Sequence, residues 1–125
     1  MAVNNNIEKK MIAFLKANVP AEWKVSGEIP EVKPDQFIVV ERTGGPSDSI
    51  GRIEEPEMLV SYYHKTSQQE ASDLAVETDI KIMRDFKATD PAISSSFRNS
   101  LIRLDDTVIK YRRYQGYYTF THHLV

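Results

Sequence analysis

The sequence predicts an α+β domain, a mixed and mainly antiparallel β-sheet of about four to five strands with two α-helices packed on it. Two observations carry this expectation. Segments near Ile7 and near Ser67 repeat apolar residues at helical spacing. The stretches from Phe37, from Met58 and toward the C-terminus are instead dense in β-branched and aromatic residues, with Gly and Pro between them.

In the first helix Ile7, Met11, Phe14 and Leu15 fall at i, i+4, i+7 and i+8, on one face of a 3.6-residue period. Asn5 or Asn6 caps it through a carboxamide oxygen, and Asn18 with Pro20 ends it. Lys9, Lys10 and Lys16 take the solvated face. Trp23 to Ile29 reads as a short edge strand, and Pro30 and Pro34 bracket a turn because neither can donate to a ladder. Phe37 to Thr43 reads as a central strand with apolar residues on both faces at first. Gly44 to Pro56 is a 13-residue polar stretch holding two isolated isoleucines, Ile50 and Ile53. A loop of that length is uncommon in a compact domain and is often functional. Met58 to His64 supplies the neighbouring strand.

Ser67-Gln68-Gln69-Glu70 matches a capping box. Ala71, Leu74, Ala75, Thr78 and Ile82 then follow on one helical face, toward an end near Phe86. After a loop at Ala88 to Ala92, Ser96 to Leu104 reads as a strand. Two readings stay open for the tyrosine-rich end. Gln115-Gly116 turns a hairpin between Val108–Tyr114 and Tyr117–Leu124, or Gly116 sits inside one long strand as a bulge or close-contact point. Tyr118, Phe120 and Leu124 share a face either way.

A length of 125 residues fits one domain that can bury about two-thirds of its unfolded surface. Cysteine is absent, which excludes disulfides and thiol chemistry. A net charge of −2 gives no whole-molecule attraction to nucleic acid or anionic membrane. The first residues lack the pattern of a signal peptide, and no apolar run approaches the ~20 residues of a membrane span. A soluble cytoplasmic domain is the expectation.

No catalytic set emerges. His122 and His123 are strand neighbours and point to opposite faces, so they cannot share an ion, and with His64 they read as surface histidines. Gly44-Gly45 to Gly51-Arg52 has neither the spacing nor the Lys-Ser/Thr of a phosphate loop. Glu54, Glu55 and Glu57 in a proline-containing loop, like Asp105-Asp106, read as solvated acids. No cofactor or metal is expected. Lys110 to Tyr114 interleaves basic and aromatic residues, followed by Tyr117, Tyr118 and Phe120. That pattern suits single-stranded nucleic acid, but better suits a strand with a basic outer face or a protein interface rich in Tyr and Arg.

From Ile7 to Leu124 this order resembles the small tail-terminator (tail-completion) proteins of long-tailed, siphovirus-type bacteriophages. The resemblance lies in the opening amphipathic helix and the strand ending in Arg42-Thr43-Gly44-Gly45. It continues through the variable loop to Pro56, the strand Met58 to Tyr63, the helix from Ser67 to Phe86, and Arg113-Tyr114-Gln115 before the last strand. The region before that last element is shorter here than is usual. The resemblance implies a non-enzymatic virion protein, six copies of which form a ring on the head-proximal end of the tail tube. Such a ring stops tube growth and docks the filled head. Its partners would be further copies of itself, the major tail-tube protein and a head-completion or connector protein. DNA would pass through the channel unread, no membrane would be involved, and assembly would occur in the host cytoplasm. Inter-subunit or tube contacts are expected at Arg42, Gly44, Gly45 and Arg52, and along Arg112, Arg113, Tyr114 and Tyr117. The alternatives are a head–tail connector or neck protein, a nucleic-acid-binding domain using the basic tyrosine strip, and a small enzyme with a pocket at the long loop.

Overall fold

The computed structural model describes residues 5–47 and 51–124. Ile50 and the first four residues, read above, lie outside them. Helix α1 spans Ile7–Asn18. Asn6 is its cap, accepting from the Lys9 N–H, and the Asn18 amide donates to the Phe14 carbonyl at the other end (2.8 Å). Ile7, Met11, Phe14 and Leu15 are buried, as their spacing requires. Strand β1, Lys24–Ser26, lies parallel to β2, Gln36–Gly44. β2 pairs antiparallel with β4, Glu57–His64, and β4 with β6, Arg112–His123. Strand β5, Ile93–Arg103, is antiparallel to β6 along the side away from β4.

The sheet has six strands, slightly more than expected, because the stretch from Gly44 to Pro56 is not all loop. Ile53–Glu54 forms β3, which pairs with His123 and His122 beyond the end of β4. Gly44 and Gly45 make the return possible. Both have positive φ (143° and 114°), and a Cβ on Gly45 would collide with the Glu55 carbonyl.

Helix α2 spans Gln68–Asp85, and a 3₁₀ turn, Phe86–Thr89, opens the connection expected to be loop from Ala88. The capping box is only half formed. Ser67 Oγ accepts from the Glu70 N–H (3.1 Å), but Glu70 does not return the bond. Its carboxylate turns to His64 Nε2, while His64 Nδ1 accepts from the N–H groups of Ser67 and Thr66 (2.8 and 3.2 Å). A buried imidazole thus replaces the glutamate as cap, satisfying donors of the helix start.

Both helices lie on one sheet face. Ile38, Val40, Met58, Val60, Tyr62, Tyr118 and Phe120 meet Met11, Phe14, Leu15, Leu74, Ala75, Ile82 and Phe86 there. Phe86 sits edge-on to Phe14 and to Phe120, with centroids 5.3 and 5.1 Å away; burying each such ring contributes roughly 1.5–3 kcal/mol. The other face carries a smaller cluster of Phe37, Val39, Tyr63 and Tyr111. Phe37 stacks on Tyr63 at 4.6 Å. Residues 104–111, between β5 and β6, fold over this cluster. Asp106 Oδ1 accepts from the Val108 and Ile109 N–H groups, and the Tyr111 hydroxyl donates to the Pro34 carbonyl (2.8 Å).

The hairpin alternative at Gln115-Gly116 is excluded, since β6 runs unbroken from Arg112 to His123. Gly116 is a close-contact point: a Cβ there would stand 2.6 Å from the Tyr118 ring and hydroxyl. Tyr118 leans back over the bare backbone and so fits beneath α2.

Candidate functional site

The expected contact residues fall into two groups. Arg42, Gly44, Gly45 and Arg52 lie at one end of the sheet. Of those on β6, Arg112, Arg113 and Tyr114 lie at the other end, while Tyr117, opposite Leu59, lies toward the first. Arg42, at the far end of β2, turns toward the helices. Its guanidinium donates to Glu54 Oε2 (2.8 Å), and its Nε lies 3.3 Å from the Gly44 carbonyl. Glu54 Oε1 meets His122 Nδ1 at 2.8 Å, His122 Nε2 meets Lys10 Nζ at 2.8 Å, and Lys10 Nζ reaches Asp90 at 2.8 Å. The lysine ammonium can only donate, so His122 accepts at Nε2 and donates from Nδ1 to Glu54.

Three expectations are corrected here. His64 and His122 are not surface histidines, for both are buried, and His122 is wholly so. Glu54 is not a solvated loop acid but is 7% exposed. Lys10 is not on a solvated face, since its side chain is 10% exposed. His64 is buried as the cap of α2, whereas one cause underlies His122, Glu54 and Lys10. His122 shares the helix-facing side of β6 with Tyr118 and Phe120, and burying it requires a donor and an acceptor from other elements. Burial pushes the Glu54 carboxyl up, but the hydrogen bonds from His122 and Arg42 outweigh it and hold the group below the usual range. Lys10, followed by the Ala92 N–H, does the same for Asp90. The donors and acceptors are matched to one another, so the chain of hydrogen bonds and ion pairs ties α1, β2, β3 and β6 together. Gly44, Gly45 and the exposed Arg52 lie beside it, and the Arg52 carbonyl accepts from the Leu124 N–H (2.6 Å).

The second group is split by the pleat of β6. Arg112 and Tyr114 alternate onto the helix side, Arg113 and Tyr117 onto the far side. Arg113 is largely built in: its guanidinium sits 5.6 Å over the Tyr63 ring, donates to the Tyr63 hydroxyl (3.1 Å) and the Leu104 carbonyl (2.7 Å), and faces Asp106. It fastens residues 104–111 over the far-face cluster. Tyr114 packs against the core and accepts from the Gln68 side chain (2.9 Å). Arg112 is half exposed near Asp105, whose carboxyl Arg103, chiefly, pulls down to about 2. Tyr117 is partly exposed, and its hydrogen bond to Glu57 raises its pKa. Asp105 and Asp106 therefore are not free solvated acids but neutralise the basic residues of this strip.

A third surface escaped the sequence reading. β5 pairs with β6 alone among the described strands, leaving an eleven-residue edge whose outer side has no strand partner. Between it and α2 lies an open groove of about 540 Å³, lined by Asp79, Ile80, Met83, Arg84, Phe97 and Arg98. Phe97 is 64% and Ile80 54% exposed. Asp79, buried on α2, holds this wall together: its carboxylate accepts from the Tyr118 hydroxyl (2.7 Å) and from Arg98 (2.6 Å). The available signal was a second apolar stripe in α2, Val76, Ile80 and Met83 at i, i+4 and i+7, outside the core-facing set.

No known family model matches the chain, and no curated protein matches it. Among the described residues no three His, Cys, Asp or Glu side chains group as a metal site would require, and no helix is long and apolar enough to cross a membrane.

Proposed function

We propose that this chain is a structural assembly protein of the tail-terminator kind. In this reading, copies form a ring that caps the head-proximal end of a phage tail tube, stops tube growth and joins the tail to the head. The observation that carries the reading is the open edge of β5, beside an apolar groove. A long edge strand is a liability in a lone molecule unless something covers it. The other sheet edge is β1, so contacts made through both edges are heterologous, and heterologous contacts form a ring when the rotation from copy to copy closes. The order of elements behind the resemblance supports it further: a short helix, the Gly44-Gly45 strand end, the helix after β4 and a single long last strand. Arg42, Gly44, Gly45, Arg52, Arg112, Arg113, Tyr114 and Tyr117 remain the proposed contact region, with Arg112 and Tyr117 the more available side chains of their strip.

The nucleic-acid reading is less favoured because Arg103, Arg112 and Arg113 each face Asp105 or Asp106, so the strip offers little uncompensated positive charge to phosphate. The test is the mass in solution across concentration, by light scattering after size exclusion, with and without a purified tail-tube protein. A discrete ring, alone or on the tube tip, is expected. A chain that stays monomeric and leaves tube growth unchanged refutes the proposal.

A further inference from the structure

We infer that the start of α2 is a pH-operated exchange between two caps, His64 while its imidazole is neutral and Glu70 once it is charged. Both acceptors address one donor. In a complete capping box the glutamate three residues into the helix accepts from the N–H of the capping residue, here Ser67. His64 Nδ1 instead holds that N–H at 2.8 Å and takes the Thr66 N–H at 3.2 Å as well, while the Glu70 carboxylate lies on His64 Nε2. A ring nitrogen that accepts carries no hydrogen. Nδ1 is therefore bare, and the one hydrogen of the ring sits on Nε2, donated to Glu70.

A second proton has only Nδ1 to bind. It turns that nitrogen into a donor facing two other donors, so both N–H groups lose their acceptor. The remaining neighbours of the ring do not replace it. Arg112, opposite His64 on β6, is itself cationic, Gln36, opposite it on β2, is neutral, and Trp23 presents its ring 5.9 Å away. The Glu70 side chain is 62% exposed, so its ion pair with the imidazolium is weak. An N–H without an acceptor at the helix start costs more. The positive end of the helix also attracts the carboxylate and repels the imidazolium. Glu70 therefore moves to the Ser67 N–H and completes the box, and the Thr66 N–H is left without an acceptor. Gln68, next to the cap, donates to the Tyr114 hydroxyl (2.9 Å), so the exchange borders the strip on β6. It does not depend on the ring reading.

Histidine side chains ordinarily charge within about pH 5–8, and carboxylates stay ionised across that range. Amide exchange resolved by residue over this range tests the inference, each rate being corrected for its intrinsic dependence on pH. As pH falls, protection at Thr66 should drop about tenfold, the loss of one hydrogen bond, while Ser67 stays protected. Glu70→Ala, made on an exposed side chain, should remove the second cap, and Thr66 and Ser67 should then lose protection together. Glu70→Gln should behave as the unaltered chain does, because glutamine also completes a capping box. Joint loss at Thr66 and Ser67 in the unaltered chain would show that Glu70 stays on the imidazolium and the helix start frays, which overturns the exchange. Protection that holds at both amides down to about pH 5 would overturn it as well. So would a Glu70→Ala variant in which Ser67 remains protected while Thr66 does not.

Discussion

Replacing Asp79 by alanine should be among the most costly single changes on α2, and a double-mutant cycle with Tyr118→Phe should show why. Asp79 is 5% exposed and Tyr118 wholly buried, and they share a 2.7 Å hydrogen bond. Burial first, then Tyr62 and Asp79, raises the Tyr118 phenol above its ordinary range, so it remains a donor at any accessible pH. Asp79→Ala leaves that hydroxyl dry and unpaired, at about 1–3 kcal/mol. The lost ion pair adds at most about 1 kcal/mol, since the Arg98 side chain is 47% exposed and turns to water. The total is about 1–4 kcal/mol, and for a domain of this size a drop in Tm of roughly 3–15 °C. Tyr118→Phe instead removes one of the two donors to the carboxylate, which keeps Arg98, at about 1.5–3 kcal/mol for a hydrogen bond to a charged group. The double variant strands neither group, so its cost should fall short of the sum by about 1–3 kcal/mol. Urea unfolding of the four proteins measures this. Additivity within about 0.5 kcal/mol would refute the buried pair as the reason Asp79 is there.

Gly116→Ala should destabilise by about 1–3 kcal/mol in thermal unfolding, because its methyl group must displace the locked Tyr118 ring. Gly45→Ala should cost at least about 2 kcal/mol by the same measurement, from positive φ and collision with Glu55 together. The folded pKa values of Glu54 and Asp90 lie below their ordinary 4.5 and 3.8, so their contribution is present above those values and lost as pH falls through the lower folded ones. The urea midpoint should therefore drop below about pH 4.5, and Glu54→Gln should flatten that acid limb. Arg113→Glu should loosen residues 104–111, seen as faster amide exchange at Ile109 and Tyr111, because it removes the Tyr63 and Leu104 contacts. Arg112→Glu should leave exchange unchanged and, on the proposed function, weaken ring formation or tail docking.

Local patterning by itself determined both helices, their core faces and the strands from Phe37 and Met58. Each of these depends on a repeat of 3.6 or 2 residues that lies within the segment. The caps at Asn6 and Ser67 were legible for the same reason, since a cap spans three residues. Tertiary structure decided what depends on distant partners. Ile53–Glu54 became a strand because His122 and Arg42 accept Glu54 there, and His122 could be buried because Lys10 reaches it across 112 positions of sequence. Glu70 left its capping role once His64 took it over, and Gly116 stayed inside a strand because Tyr118 needed its missing side chain. Arg113 and Tyr114 were divided between the faces of one strand, which cannot be placed until its neighbours are known. The open β5 edge and its groove arise only when α2 is laid against the sheet. A sequence records which residues want burial, but the partners that make burying a charge or an imidazole affordable are supplied by the fold.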